Sequence, residues 1–135
     1  MPVRTIFFAS PYDAAQTPAH VFRILSIAET EERDSDNYES GSYYLGRAGS
    51  LEVKIWRDEY YGFEEFPYRL ALDMGNDSGF TIDEALDLAI VELLQAGFAV
   101  AREVGNKPGE VKRELYALRG SNLIKTQDTK PVPKD

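Results

Sequence analysis

The sequence predicts an α+β fold: an antiparallel β-sheet of about five strands, a meander plus a C-terminal hairpin, packed against one main helix over residues 81–96 and a second, N-terminal helix. Three observations carry this prediction. Leu51–Arg57 (LEVKIWR) alternates apolar and polar side chains with the period of a strand that has one buried face. Thr81-Ile-Asp-Glu84 has the form of a capping box and opens a stretch with Ile82, Leu86, Ala89, Ile90, Leu93 and Ala96 at helical spacing. FAVAREV (98–104) and VKRELYALR (111–119) flank the turn-forming run Gly105-Asn-Lys-Pro-Gly109.

The remaining elements follow in order. Val3–Ala9 (VRTIFFA) is rich in β-branched and aromatic residues and reads as a first strand ended by Ser10–Pro11. Thr17–Pro18 offers a helix start, with Thr as the cap and Pro at the first helical position. The segment 18–32 fits a helical stripe through Val21, Phe22, Leu25 and Ala28 and also a buried strand; the cap tips the reading to helix. Residues 29–42 (ETEERDSDNYESGS), with six carboxylates and one Arg, read as a polar loop. Tyr43–Ala48, Leu51–Arg57 and Phe66–Met74 (FPYRLALDM) make the meander, the last with Phe66, Tyr68, Leu70, Leu72 and Met74 on one side. Asp83 and Glu84 suit a helix N-terminus, and Gly97 a C-terminal stop. These elements fill a single domain over 1–120, and the polar stretch 121–135, with Pro131 and Pro133, reads as a flexible C-terminal tail.

Composition narrows the chemistry. A chain of 135 residues with 43% hydrophobic content can bury one core without cross-links. With no Cys there is no disulfide, thiolate metal site or thiol catalysis. The early apolar run, Thr5–Ala9, is too short for a secretion signal, and no run approaches a membrane span, so a soluble cytoplasmic protein is expected. His20 is the sole histidine and lacks a second ligand or a catalytic serine motif, so no metal, cofactor or catalytic set is expected. Between Asp73 and Glu84 carboxylates fall at calcium-loop positions 1, 5 and 12. Gly75 stands where a ligand is needed and Ser78 where the bend requires Gly, which favours a strand-to-helix turn.

Net charge is −8 and unevenly placed: residues 1–101 hold 7 Lys/Arg against 18 Asp/Glu, and residues 102–135 hold 8 against 5. Such a field repels nucleic acid and anionic lipid and attracts basic surfaces. Residues 56–68 (WRDEYYGFEEFPY) concentrate Trp56, Asp58, Glu59, Tyr60, Tyr61, Phe63, Glu64, Glu65 and Tyr68 around one hairpin connection. Rings give contact area at low entropy cost and stack on guanidinium groups, while carboxylates accept paired hydrogen bonds from Arg. These nine residues are the candidate partner-binding set. The competing reading is an ordinary loop with its rings tucked beneath it, and a Trp56 covered by the protein itself. Leu88 and Val91 lie off the main helix stripe, as further core or as a second contact face.

In size, acidity and lack of catalytic groups the chain resembles the small acidic inhibitors of bacteria and phages, such as toxin immunity and anti-restriction proteins. The resemblance is one of composition and matches no residue pattern. It implies a protein-binding module for a basic partner, for example a nuclease, with no direct contact to nucleic acid or membrane. The second expectation is self-assembly as a homodimer or larger oligomer, the acidic body of one copy meeting the basic C-terminal hairpin of another. Arg102, Lys112, Arg113, Arg119 and Lys125 would otherwise pair with the chain's own acids.

Overall fold

A computed structural model describes residues 3–34, 41–75 and 81–131. Its elements are β1 (Val3–Ala9), α1 (Thr17–Ile24), β2 (Glu29–Asp34), β3 (Ser42–Ala48), β4 (Leu51–Arg57), β5 (Tyr68–Met74), α2 (Ile82–Gln95), β6 (Ala99–Lys107), β7 (Glu110–Arg119) and β8 (Asn122–Pro131). All eight strands belong to one antiparallel sheet in the order β2-β3-β4-β5-β1-β6-β7-β8. The fold is therefore mainly β with two helices, with more strands than the five expected. β1 sits mid-sheet and joins two meanders, β2–β5 and β6–β8.

The two strands that the element-by-element reading lacks, β2 and β8, come from sequence read as loop or tail. Glu29–Asp34 pairs with β3 along its length, from Glu29 opposite Arg47 to Asp34 opposite Ser42. All six of its residues are exposed, because β2 is the sheet's edge and needs no apolar side chain. The stretch 18–32 is thus helix first and strand afterwards, and the rest of the expected acidic loop, 35–40, lies outside the described residues. Asn122–Pro131 pairs with β7 along ten residues, so the tail expected from Ser121 is the other edge strand. Both edges hide from a hydrophobicity pattern for one reason: charged, polar strands resist pairing with other molecules.

The helices cover one face of the sheet. Ile6, Phe8, Val53, Ile55, Leu70, Leu72 and Val100 meet Val21, Phe22, Leu86, Ile90 and Leu93 in the main core. Burying side chains of this size contributes about 2 kcal/mol each. At β3, Gly46 makes room for α1: a Cβ there would lie 2.6 Å from the Phe22 ring and 2.8 Å from Ile27. The Thr81 half of the predicted capping box forms, with the Thr81 hydroxyl accepting from the Glu84 N–H at 3.1 Å. The same hydroxyl donates to the Glu84 carboxylate. At α1 the cap is Gln16 rather than Thr17. The fully buried Thr17 hydroxyl instead donates to Asp13 O at 2.8 Å and ties down the 10–17 loop. The notional calcium loop cannot be followed through, because 76–80 lie outside the described residues.

A second, smaller core lies on the far face of the sheet. It joins Phe7, Ala101 and Val111 from the strands to Phe63 and Phe66 from the loop between β4 and β5. The expectation that Phe66 opens β5 is corrected here. The Phe66 N–H donates to Phe63 O at 2.9 Å in a tight turn, β5 starts at Tyr68, and the Phe66 ring packs opposite to Tyr68, Leu70 and Leu72.

Candidate functional site

The loop of residues 58–67 folds back under the sheet instead of projecting from it, and this decides the fate of each candidate residue. Phe63 is 1% exposed and its ring stacks on Phe7, with centroids 3.9 Å apart. Tyr68 is buried in the main core, stacked on Phe8. Neither offers a partner more than a sliver of surface. Phe63 is buried because the far face of β1, β6 and β7 offers it Phe7, Ala101 and Val111, and Tyr68 because it belongs to β5 and faces the helices.

Arg113 holds the loop down. Its side chain is 3% exposed and donates to Gly62 O and Glu65 at 2.8 Å each, and through Nε and a terminal nitrogen to both Asp128 oxygens at 2.9 Å. Its guanidinium also lies 5.7 Å from the ring centres of both Phe63 and Phe66. Two carboxylates beside it raise its already high pKa. Hydrogen bonding to Arg113 holds Asp128 below the usual carboxylate range. Burial pushes Glu65 up, but a backbone hydrogen bond and Arg113 outweigh it, and Glu65 titrates low. Glu65, read as a partner-seeking acid, is therefore engaged by the molecule itself.

Arg69 is a second internal cation. It sits 4.4 Å over the Tyr60 ring, 4.7 Å over Phe7 and 6.0 Å from Trp56, and pairs with Asp58 at 3.5 Å. Trp56 is half-buried on the far face, on the opposite side of β4 from Val53 and Ile55, as the alternation predicts. The Tyr60 hydroxyl donates to Glu103 at 3.0 Å. Burial first, and Glu103 second, raise its pKa, so it remains a neutral donor.

What stays in solvent is narrower than the sequence predicts. Tyr61 is 65% exposed, and Glu59, Glu64 and the Arg113-paired Glu65 are exposed beside it. Glu64 also steadies the turn, accepting from the Gly62 N–H at 3.1 and 3.2 Å. Gly62 has φ +91°, a conformation that favours glycine, and its carbonyl is held by Arg113. Tyr61 thus forms a ridge between two clefts. One, of about 780 Å³, is lined by Arg57, Asp58, Glu59, Tyr60 and Glu64 among others. The second, of about 650 Å³, runs from the same tyrosines to the Pro108–Gly109 turn.

The pairing of Arg113 with the chain's own acids is as expected, whereas its burial beneath the 58–67 loop, and the parts that Arg69 and Glu103 play there, are not. A signal was present for Arg113: strict alternation puts it between Val111 and Leu115 on one face of β7, an unusual place for a cation without a buried partner. The basic C-terminal hairpin is answered in part by the chain's own acids, with Lys125 near Asp87, Lys130 near Glu65 and Lys107 paired with Glu110. His20 stacks on Tyr12 at 3.6 Å and its Nδ1 contacts Arg23. Among the described residues no group of three or more potential ligands could hold a metal ion, and no helix is long and apolar enough to cross a membrane. Comparison with protein-family models, curated proteins and solved structures finds no match for this chain.

Proposed function

We propose that the chain is a small acidic protein-binding module, of inhibitor or immunity type, that engages a basic protein surface in the cytoplasm. The observation behind this reading is the clamped loop. A tyrosine ring is most effective as a binding anchor when its backbone is already fixed, since little freedom is then lost on association. Tyr61 stands on such a backbone, pinned through Gly62 O by the buried Arg113. Glu59 and Glu64 beside it favour Arg or Lys in the flanking clefts and supply the long-range attraction that speeds encounter. Phe63 and Phe66 hold this surface in shape from beneath.

The reading is tested by titrating the isotopically labelled full chain with a hexa-arginine peptide at about 50 mM and about 300 mM salt. Amide shifts are expected at Tyr60, Tyr61, Glu64 and the 108–111 turn, weakening at the higher salt. Tyr61→Ala should reduce affinity about tenfold and Glu59→Lys by a similar factor. Shifts centred on the acidic β2 edge, or binding unchanged in both variants, would overturn it.

A further inference from the structure

The helix-covered face carries a second hollow, at the opposite end of the strands from Tyr61. α1 and α2 do not close over the corner where β3 turns into β4. There a cleft of about 350 Å³ opens between Leu25, the Ala48–Leu51 turn, the end of β5 at Leu72 and Met74, and one flank of α2. Ala85, Leu88, Ala89 and Glu92 form that flank, spaced so that they share one side of the helix. Leu88 is 53% exposed at the mouth, which answers the question its off-stripe position raised. It is surplus to the core and belongs to the rim of this cleft.

One polar side chain is out of keeping with these walls. Glu92 is half-buried at the cleft, and among the described residues its carboxylate makes no hydrogen bond or ion pair. Burial pushes its pKa up, and among the described residues no cation brings it back. α2 cannot supply one, because no Lys or Arg occurs between Arg69 and Arg102. Asp87, on another side of the helix, has Lys125. A carboxylate stripped of part of its water and given no partner is costly, whereas an alanine or glutamine would close the same wall without that cost.

We infer that this cleft is a binding site for a small amphipathic cation, an aliphatic chain ending in an ammonium group. The chain would lie against Leu51, Leu72, Met74 and Leu88, and the ammonium would donate to Glu92. Apolar walls with one placed charge are the usual makeup of a small-molecule site, and the volume lies within the ordinary range for one. The inference is independent of the Tyr61 loop, which lies on the far face.

The test uses the full chain with hexylamine, octylamine, hexanol and hexanoate as probes, followed by amide shifts and calorimetry. Hexylamine should bind with shifts at Ala48, Leu51, Ala85 and Ala89, and octylamine about tenfold more tightly, as two further buried methylenes require. Hexanol should bind more weakly and hexanoate not measurably. Glu92→Gln should weaken both amines about tenfold and leave hexanol unchanged. Ala85→Phe, at a half-exposed position, should block every probe while the far-ultraviolet spectrum stays that of the parent. Absence of amine binding at millimolar concentration, equal binding of hexanoate, undiminished amine binding by Glu92→Gln, or shifts confined to another surface would each overturn the inference.

Discussion

At the scale of single residues, Arg113 sets more of this structure than any acid or ring in the candidate site. It is a buried cation whose partners, Glu65 and Asp128, reach it from a loop and from an edge strand. Removing one member of such a cluster strands the rest. Arg113→Met should cost about 3 kcal/mol in denaturant unfolding and should release the 58–67 loop, seen as faster amide exchange at Tyr61 and Gly62. Its pH signature has a definite sign. Glu65 and Asp128 both have folded-state pKa values below their ordinary ones of 4.5 and 3.8, so their contribution is complete above that range. It is lost as pH falls through the lower folded values. The parent should therefore lose stability in acid more steeply than Arg113→Met, and parallel pH profiles of the two would refute the clamp. The sequence exposed part of this. The alternation of β4 placed Trp56 correctly, yet nothing local to 56–68 shows that Phe63 and Phe66 would find Phe7 and Val111 on distant strands. Burial of a loop ring is a property of the surface it lands on, so local pattern cannot reveal it.

Individual elements were legible in proportion to how far they face a core. α2 was read to within a residue or so, with its cap, because its apolar stripe and its Thr81 and Glu84 signals agree. β4 and β5 carry their alternation openly. β2 and β8 were missed because an edge strand is paired on one side and, here, exposed on most of its residues. α1 was right in kind but wrong in detail: Thr17 proved a buried tie rather than a cap. The packing of α1 yields a sharp prediction. Gly46→Ala places a methyl where Phe22 and Ile27 already stand, so it should destabilise by about 2 kcal/mol even though alanine is otherwise harmless in a strand. Thermal unfolding checks this, and an unchanged melting temperature would mean that α1 rides further from the sheet than described.

Across the whole molecule, the sheet order is what no local pattern could convey. β1 pairs with β5 on one side and β6 on the other, so one seven-residue strand holds two meanders together. Ile6 and Phe8, both fully buried, lie at that junction. Deleting residues 1–9 should abolish cooperative unfolding rather than merely lower its midpoint, and a synthetic peptide of that sequence should restore it by adding a strand in trans. A sharp, single transition in the shortened chain would show the two meanders to be self-sufficient. The central strand also has a temporal consequence. It leaves the ribosome before either neighbour exists. Its Ile-Phe-Phe run must wait through some sixty residues of synthesis for β5 and about ninety for β6. The nascent chain therefore carries this apolar segment uncovered until β5 and β6 have been made, and a holding chaperone near the exit tunnel would find its natural grip there.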